Sequence, residues 1–143
     1  MDGIFVITID NPPINATSQV VRSGLMSALS ELKKMGLCSA SVLKCAGNTF
    51  VAGADIREFG KPKLEYTLHE MIRTIEECGR TVVAALHGSA LGGGFELAMA
   101  CDARVADTRM AVGLLEVSLG IIPGAGGVQQ ATSISDLSVI YAD

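Results

Sequence analysis

Short β-branched apolar runs alternate with stretches of helical periodicity, and this alternation constrains the fold of the 143-residue chain more than any other feature. Gly3-Ile4-Phe5-Val6-Ile7-Thr8-Ile9 reads as a strand, stopped by the turn residues Asp10-Asn11-Pro12-Pro13. Val21, Leu25, Leu29 and Leu32 then fall at helical spacing, with Ser18 as candidate cap and Gly36 as the stop. Residues 40–45 form a second buried strand, and 63–78 a second helix with Leu64, Leu68, Met71, Ile72 and Ile75 on one face, closed by Gly79. Residues 82–86 read as a third strand. Gly92-Gly93-Gly94 opens a helix reaching about Ala100, followed by extended pieces at 104–106 and 111–113. Strands and helices in this order predict an α/β fold. The first 130 residues read as one domain, and residues 131–143, rich in Ser and Asp with weak periodicity, as a frayed, divergent tail.

Composition narrows the function. A net charge of −4 and only six aromatic residues leave no basic footprint and little stacking surface, which excludes nucleic acid as the expected partner. Arg57, Lys61 and Lys63 nevertheless make a local basic cluster; on its own it reads as a solvated surface patch. Thr81 to Cys101 is apolar enough to imitate a membrane span, but His87, Glu96 and its glycines point to a buried strand, a loop and a buried helix. Cys38, Cys45, Cys78 and Cys101 show no metal-ligand spacing and are expected as reduced, buried thiols. Together these traits point to a cytoplasmic protein. Tyr141-Ala142-Asp143 is not a peroxisomal signal, although a peroxisome is the alternative for a eukaryotic source.

Chemistry concentrates at two glutamates twenty residues apart. Glu96 follows Gly92-Gly93-Gly94, and Glu116 precedes the glycine-rich run 120–127. Paired carboxylates in apolar sequence are a common means of acid and base catalysis. Uncovered glycine N–H groups suit an oxygen that becomes negative during reaction. Ala52-Gly53-Ala54-Asp55 is a second candidate donor loop, in which Asp55 reads as a helix cap. Each feature has a plainer account: close helix packing for the glycines, dipole complementarity for Glu96, a cap or an ion pair with Arg104 or Arg109 for Glu116. Their combination favours an enzyme.

Other motifs are missing. Gly124-Ala125-Gly126-Gly127 fails the dinucleotide pattern because Gln129 stands where its last glycine belongs, and the chain has no phosphate-loop lysine or serine elbow. His69, on a charged helix, reads as solvated; His87, behind a buried strand, reads as structural.

Taken in order, Asp10 to Ala16, Ala52 to Ile56, His87 to Gly94 with Glu96, Cys101-Asp102, Leu115-Glu116 and Gly120 to Gly127 resemble the crotonase, or enoyl-CoA hydratase/isomerase, family. The resemblance covers roughly seven-eighths of the chain, from Ile4 to about Gly127. The run Ala54-Asp55-Ile56-Arg57-Glu58-Phe59-Gly60-Lys61-Pro62 looks most like the hydratase part of bifunctional β-oxidation enzymes.

That resemblance implies a spiral of ββα units and a set of roles. The N–H groups of Ala54 and Gly93 would form an oxyanion hole for an acyl-CoA thioester. Ala52, Ala54, Asp55, Ile56, Arg57, Gly92 and Gly93 would line the acyl-CoA site, with Lys61 or Lys63 on the phosphates. Glu96 and Glu116 would be the catalytic carboxylates. Water would add across a 2-enoyl-CoA to give the 3-hydroxyacyl-CoA, and Δ3,Δ2-isomerisation could accompany it. No metal or redox cofactor is implied, because coenzyme A enters as part of the substrate.

Leu115 replaces the family's usual proline, and Val128-Gln129-Gln130-Ala131-Thr132 departs from the usual Thr-Gln-Arg-Leu-Pro. The chain reads as truncated before the C-terminal helices, and as lacking the dehydrogenase segment of the bifunctional relatives. The family forms trimers, so a homo-oligomer and a piece of a longer chain both stand as expectations. The alternatives to a hydratase are an isomerase using one carboxylate, and a non-catalytic acyl-CoA-binding or assembly fragment.

Overall fold

A computed structural model describes residues 3–36, 38–62, 65–114 and 140–142 of the chain, the last three through their backbone. Among these, β1 (Gly3–Ile9), β2 (Cys38–Cys45), β3 (Thr81–Leu86), β5 (Ala103–Asp107) and β7 (Ile140–Ala142) form a parallel sheet in the order β1-β2-β3-β5-β7. Three α-helices lie between strands: α1 (Gln19–Lys34), α2 (Leu68–Glu76) and α3 (Gly93–Met99). Parallel neighbours need such crossovers.

A second, two-stranded sheet pairs β4 (Ser89–Leu91) with β6 (Ala111–Gly113), and Val51 bridges Ala90 in parallel on its other side. After β1 and α1, each turn of the chain places one strand in the large sheet and one segment in the small layer. β2 is followed by Val51 and α2; β3 by β4 and α3; β5 by β6. This is the expected spiral of ββα units.

The apolar pattern of α1 is buried as its spacing predicts. Val21, Leu25, Leu29 and Leu32 all face the core, the last two with no exposure. They belong to one buried cluster with Leu43, Val82, Ala84 and Leu97 of β2, β3 and α3. Each such side chain contributes about 1.5–3 kcal/mol when fully removed from water.

Several details differ from the sequence reading. α2 begins at Leu68 rather than 63, because Thr67 and Glu70 form a reciprocal capping box that fixes the start. β2 starts two residues early, at Cys38. β4 was read as loop; three residues are too few to show a period. The tail is not wholly frayed, since Ile140–Ala142 pairs in parallel with Val105–Asp107 of β5.

Candidate active site

β3 delivers the chain into β4, and β4 into α3 through Gly92. Gly92 has φ 52° and ψ −125°, a conformation that needs glycine, and its N–H donates to Gly113 O at 2.7 Å. α3 then starts at Gly93. Glu96 follows three residues later, so Gly93 and Glu96 share a helix face. Glu96 is buried, at 1% exposure. A carboxylate at this depth is retained only with compensating interactions. Beyond it, Arg104 closes the other end of α3, donating to the carbonyls of Ala98, Met99 and Cys101 at 3.2, 3.2 and 2.7 Å. Asp102 ties the same end to β3 by accepting the Val82 N–H at 2.7 Å.

Gly93 and Gly94 have a packing reason as well. A β-carbon on Gly93 would come within 2.5 Å of Leu68 Cδ2, and one on Gly94 within 2.1 Å of Val51 O. The contacts that exclude side chains here are the same contacts that keep the helix start bare.

The 52–55 loop lies against this turn. Leu91 donates its N–H to Val51 O at 2.9 Å, and a β-carbon on Gly53, which has φ +115°, would lie 3.6 Å from Leu91 O. Thr17 holds the loop from the other side, donating N–H to Gly53 O at 3.0 Å. Ala52 is half-buried and donates to Ile14 O at 3.1 Å; Ala54 is exposed. Among the described residues, neither the Ala54 nor the Gly93 N–H has a hydrogen-bond partner.

A cavity of about 230 Å3 opens beside Ala54, bordered by Arg22, Asp55, Glu58, Lys61, Thr67 and Leu68 among others. Leu68 is the common neighbour of the two donor loops, since it touches both this cavity and Gly93. Asp55 caps the one-turn 3-10 helix Ile56–Glu58, as its sequence position suggests, accepting the Arg57 N–H at 3.0 Å. It also takes a two-pronged contact from the Arg57 guanidinium, at 2.9 Å to Oδ1 and 2.8 Å to Oδ2. These bonds hold the Asp55 carboxyl at a pKa of about 2, well below its ordinary 3.8. Ile56 and the Arg57 side chain are exposed at the rim. Lys61 has no ion-pair partner among the described residues, which makes it the available cation at this cavity.

Ala52, Ala54, Asp55, Ile56, Arg57, Gly92, Gly93 and Glu96 are thus gathered on two touching loops and one helix. Glu116 and Lys63 lie outside the described residues. Among the described residues, Arg104 serves the end of α3 and Arg109 pairs with Asp107. His87 Nε2 donates to Gly47 O, 3.1 Å away, and His69 is exposed. Sequence reasoning missed Arg22, Glu58, Thr67 and Leu68. Of these, the Thr67-x-x-Glu70 box was legible; the Arg22 and Glu58 positions carry no local signal.

The profile of the enoyl-CoA hydratase/isomerase family matches residues 1–134. The chain belongs to this family. It is 40% identical over 134 residues to a protein named probable enoyl-CoA hydratase from Bacillus subtilis, covering 89% of this chain and 52% of that one. To the peroxisomal bifunctional enzyme of Danio rerio it is 42% identical over 128 residues, 90% of this chain and 18% of the relative. The crystal structure of an enoyl-CoA hydratase from Bacillus anthracis superposes with a TM-score of 0.80 at 32% identity, covering 90% of this chain and 54% of that one. This family member therefore spans about half the length of these two hydratases and about a fifth of the bifunctional relative. Among the described residues, no helix is long and apolar enough to cross a membrane, and no cluster of His, Cys, Asp or Glu could hold a metal ion.

Proposed function

We propose that the chain carries the hydratase half-site for a 2-enoyl-CoA, adding water to give the 3-hydroxyacyl-CoA of fatty-acid β-oxidation. The observation that carries the reading is the shared face of Gly93 and buried Glu96, set against the Ala54 loop through Leu68. The thioester oxygen would accept the Ala54 and Gly93 N–H groups. Glu96 would orient a water molecule and take its proton as the oxygen bonds to C3. The C2=C3 π electrons move toward the thioester, and the enolate charge rests on the oxygen between the two donors. Glu116 would then deliver a proton to C2. One C–O and one C–H bond form, the π bond and one O–H bond of water are lost, and the proton that Glu96 gains matches the one that Glu116 gives up. Moving a double bond from C3 to C2 passes through the same enolate, so isomerase activity is part of the proposal. Lys61 and Arg57 would meet the coenzyme A phosphates at the rim, with the Arg57 charge already shared with Asp55.

The test is incubation of the 143-residue chain with crotonyl-CoA. Loss of the conjugated thioester's ultraviolet absorbance with appearance of 3-hydroxybutyryl-CoA is expected. Binding of acyl-CoA without any turnover would replace this reading with that of a binding fragment.

A further inference from the structure

Ser18 occupies the N-cap position of α1, yet its side chain makes no capping bond. The cap comes from across the fold. Glu58 accepts the Gln19 N–H through Oε1 at 2.6 Å and pairs through Oε2 with Arg22 Nη1 at 2.8 Å. Arg22 also donates to Thr17 O at 2.6 Å, to Gln19 Oε1 at 3.0 Å, and through Nε to Tyr66 O. One guanidinium thus joins three segments distant in sequence: the start of α1, the end of the Ala54 loop, and the turn into α2.

The pair differs from the ordinary surface ion pairs of this chain. Arg22 and Glu58 are 11% and 22% exposed, whereas Arg73 and Glu77 on α2 are 67% and 61% exposed. Exposed pairs contribute little, because water competes for both charges. A planar guanidinium can serve a carboxylate and several carbonyls at once, which an ammonium cannot match in the same geometry.

What Arg22 adds is specific. The Ala54 loop is already held to the segment before α1 by Thr17 and Gly53. The bond to Tyr66 O extends that hold to the Tyr66-Thr67-Leu68 turn, and Leu68 is the residue that packs on Gly93. The two bare N–H groups are therefore linked by a short chain: Ala54 loop, Glu58, Arg22, Tyr66, Leu68, Gly93. We propose that Arg22 and Glu58 are positioning residues that set the spacing of the Ala54 and Gly93 donors. The inference rests on the assignment of those donors to the thioester oxygen. Donors that act on charge developed in the transition state express a misplacement in kcat more than in KM.

The experiment combines kinetics on crotonyl-CoA with amide hydrogen exchange for wild type, Arg22→Ala, Arg22→Lys, Glu58→Gln and the control Arg73→Ala. Arg22→Ala is expected to lower kcat by roughly 10- to 100-fold, the scale of a donor misplaced by about an ångström, while KM changes by no more than about threefold. Arg22→Lys should recover part of the loss, because it keeps the pair with Glu58. Glu58→Gln should fall with Arg22→Ala, and Arg73→Ala should match wild type. Exchange should accelerate at residues 54–58 and 66–68 and stay unchanged in β2 and β3. Unaltered kcat with unaltered loop exchange overturns the proposal, and so does acceleration spread evenly through the sheet. If wild type does not hydrate crotonyl-CoA, the hydratase reading falls and exchange alone decides: loop-restricted acceleration supports the joint, and unchanged loops overturn it.

Discussion

A β-carbon on Gly94 would stand 2.1 Å from the Val51 carbonyl oxygen and 2.7 Å from Val51 Cβ. Val51 O cannot retreat freely, because it accepts the Leu91 N–H at 2.9 Å. Gly94→Ala must therefore push α3 off the small layer. It is expected to cost at least about 1–3 kcal/mol, the usual range for overpacking a rigid contact. Thermal melting checks this, and an unchanged midpoint would contradict it.

Gly93 meets a softer obstacle. Its nearest neighbour is Leu68 Cδ2 at 2.5 Å, with the next Leu68 atoms at 3.8 Å, so a side-chain rotation relieves the clash. Gly93→Ala should destabilise less than Gly94→Ala while turning Leu68 into the cavity beside Ala54. Crotonyl-CoA turnover should fall further than stability does. Melting and kcat/KM measured on both variants would show the opposite ranking if Gly93 were a packing glycine only.

Asp55 sets an acid boundary. Its folded pKa, held at about 2 by the side-chain and backbone hydrogen bonds of Arg57, lies below the ordinary 3.8. A depressed carboxyl stabilises the fold above the unfolded value, and that contribution is lost as pH falls from about 4 through 2. The magnitude is modest, since Arg57 is well exposed. In Arg57→Ala the Asp55 carboxyl should titrate close to 3.8. A carbonyl-carbon NMR titration reads the shift directly, and an Asp55 value unmoved by the substitution would show that Arg57 is not its cause.

The thiols make a second chemical prediction. Burial raises Cys45 and Cys101 to about 12, leaving almost no thiolate near neutrality. The folded chain should resist alkylation at these two positions under conditions that modify the denatured chain completely. Mass spectrometry of labelled peptides measures this; rapid labelling of native Cys101 would mean that α3 opens readily.

The parts of this fold visible in sequence are those with a period. Val21, Leu25, Leu29 and Leu32 announce the buried face of α1, and the β-branched runs announce β1, β2 and β3. β6 was legible as the extended piece 111–113, but β4, at three residues, is shorter than a pattern, yet the two build the layer that carries the glycines. At the site, residue types of evident chemistry were legible: Glu96, Asp55 and Gly93. Arg22 and Glu58 were not, because their meaning lies in a contact 36 residues apart in sequence. The same holds for the cap of α1, where Ser18 has the right residue type and Glu58 does the bonding.

The most direct measurement of the central claim is crotonyl-CoA hydration by Glu96→Gln. The substitution keeps the size of a side chain with 1% exposure and removes its charge and its ability to take a proton. With circular dichroism and melting close to wild type, kcat is predicted to fall by about 100-fold or more, the scale of a lost general base. Wild-type turnover in Glu96→Gln would contradict the role assigned to Glu96 and the mechanism built on it.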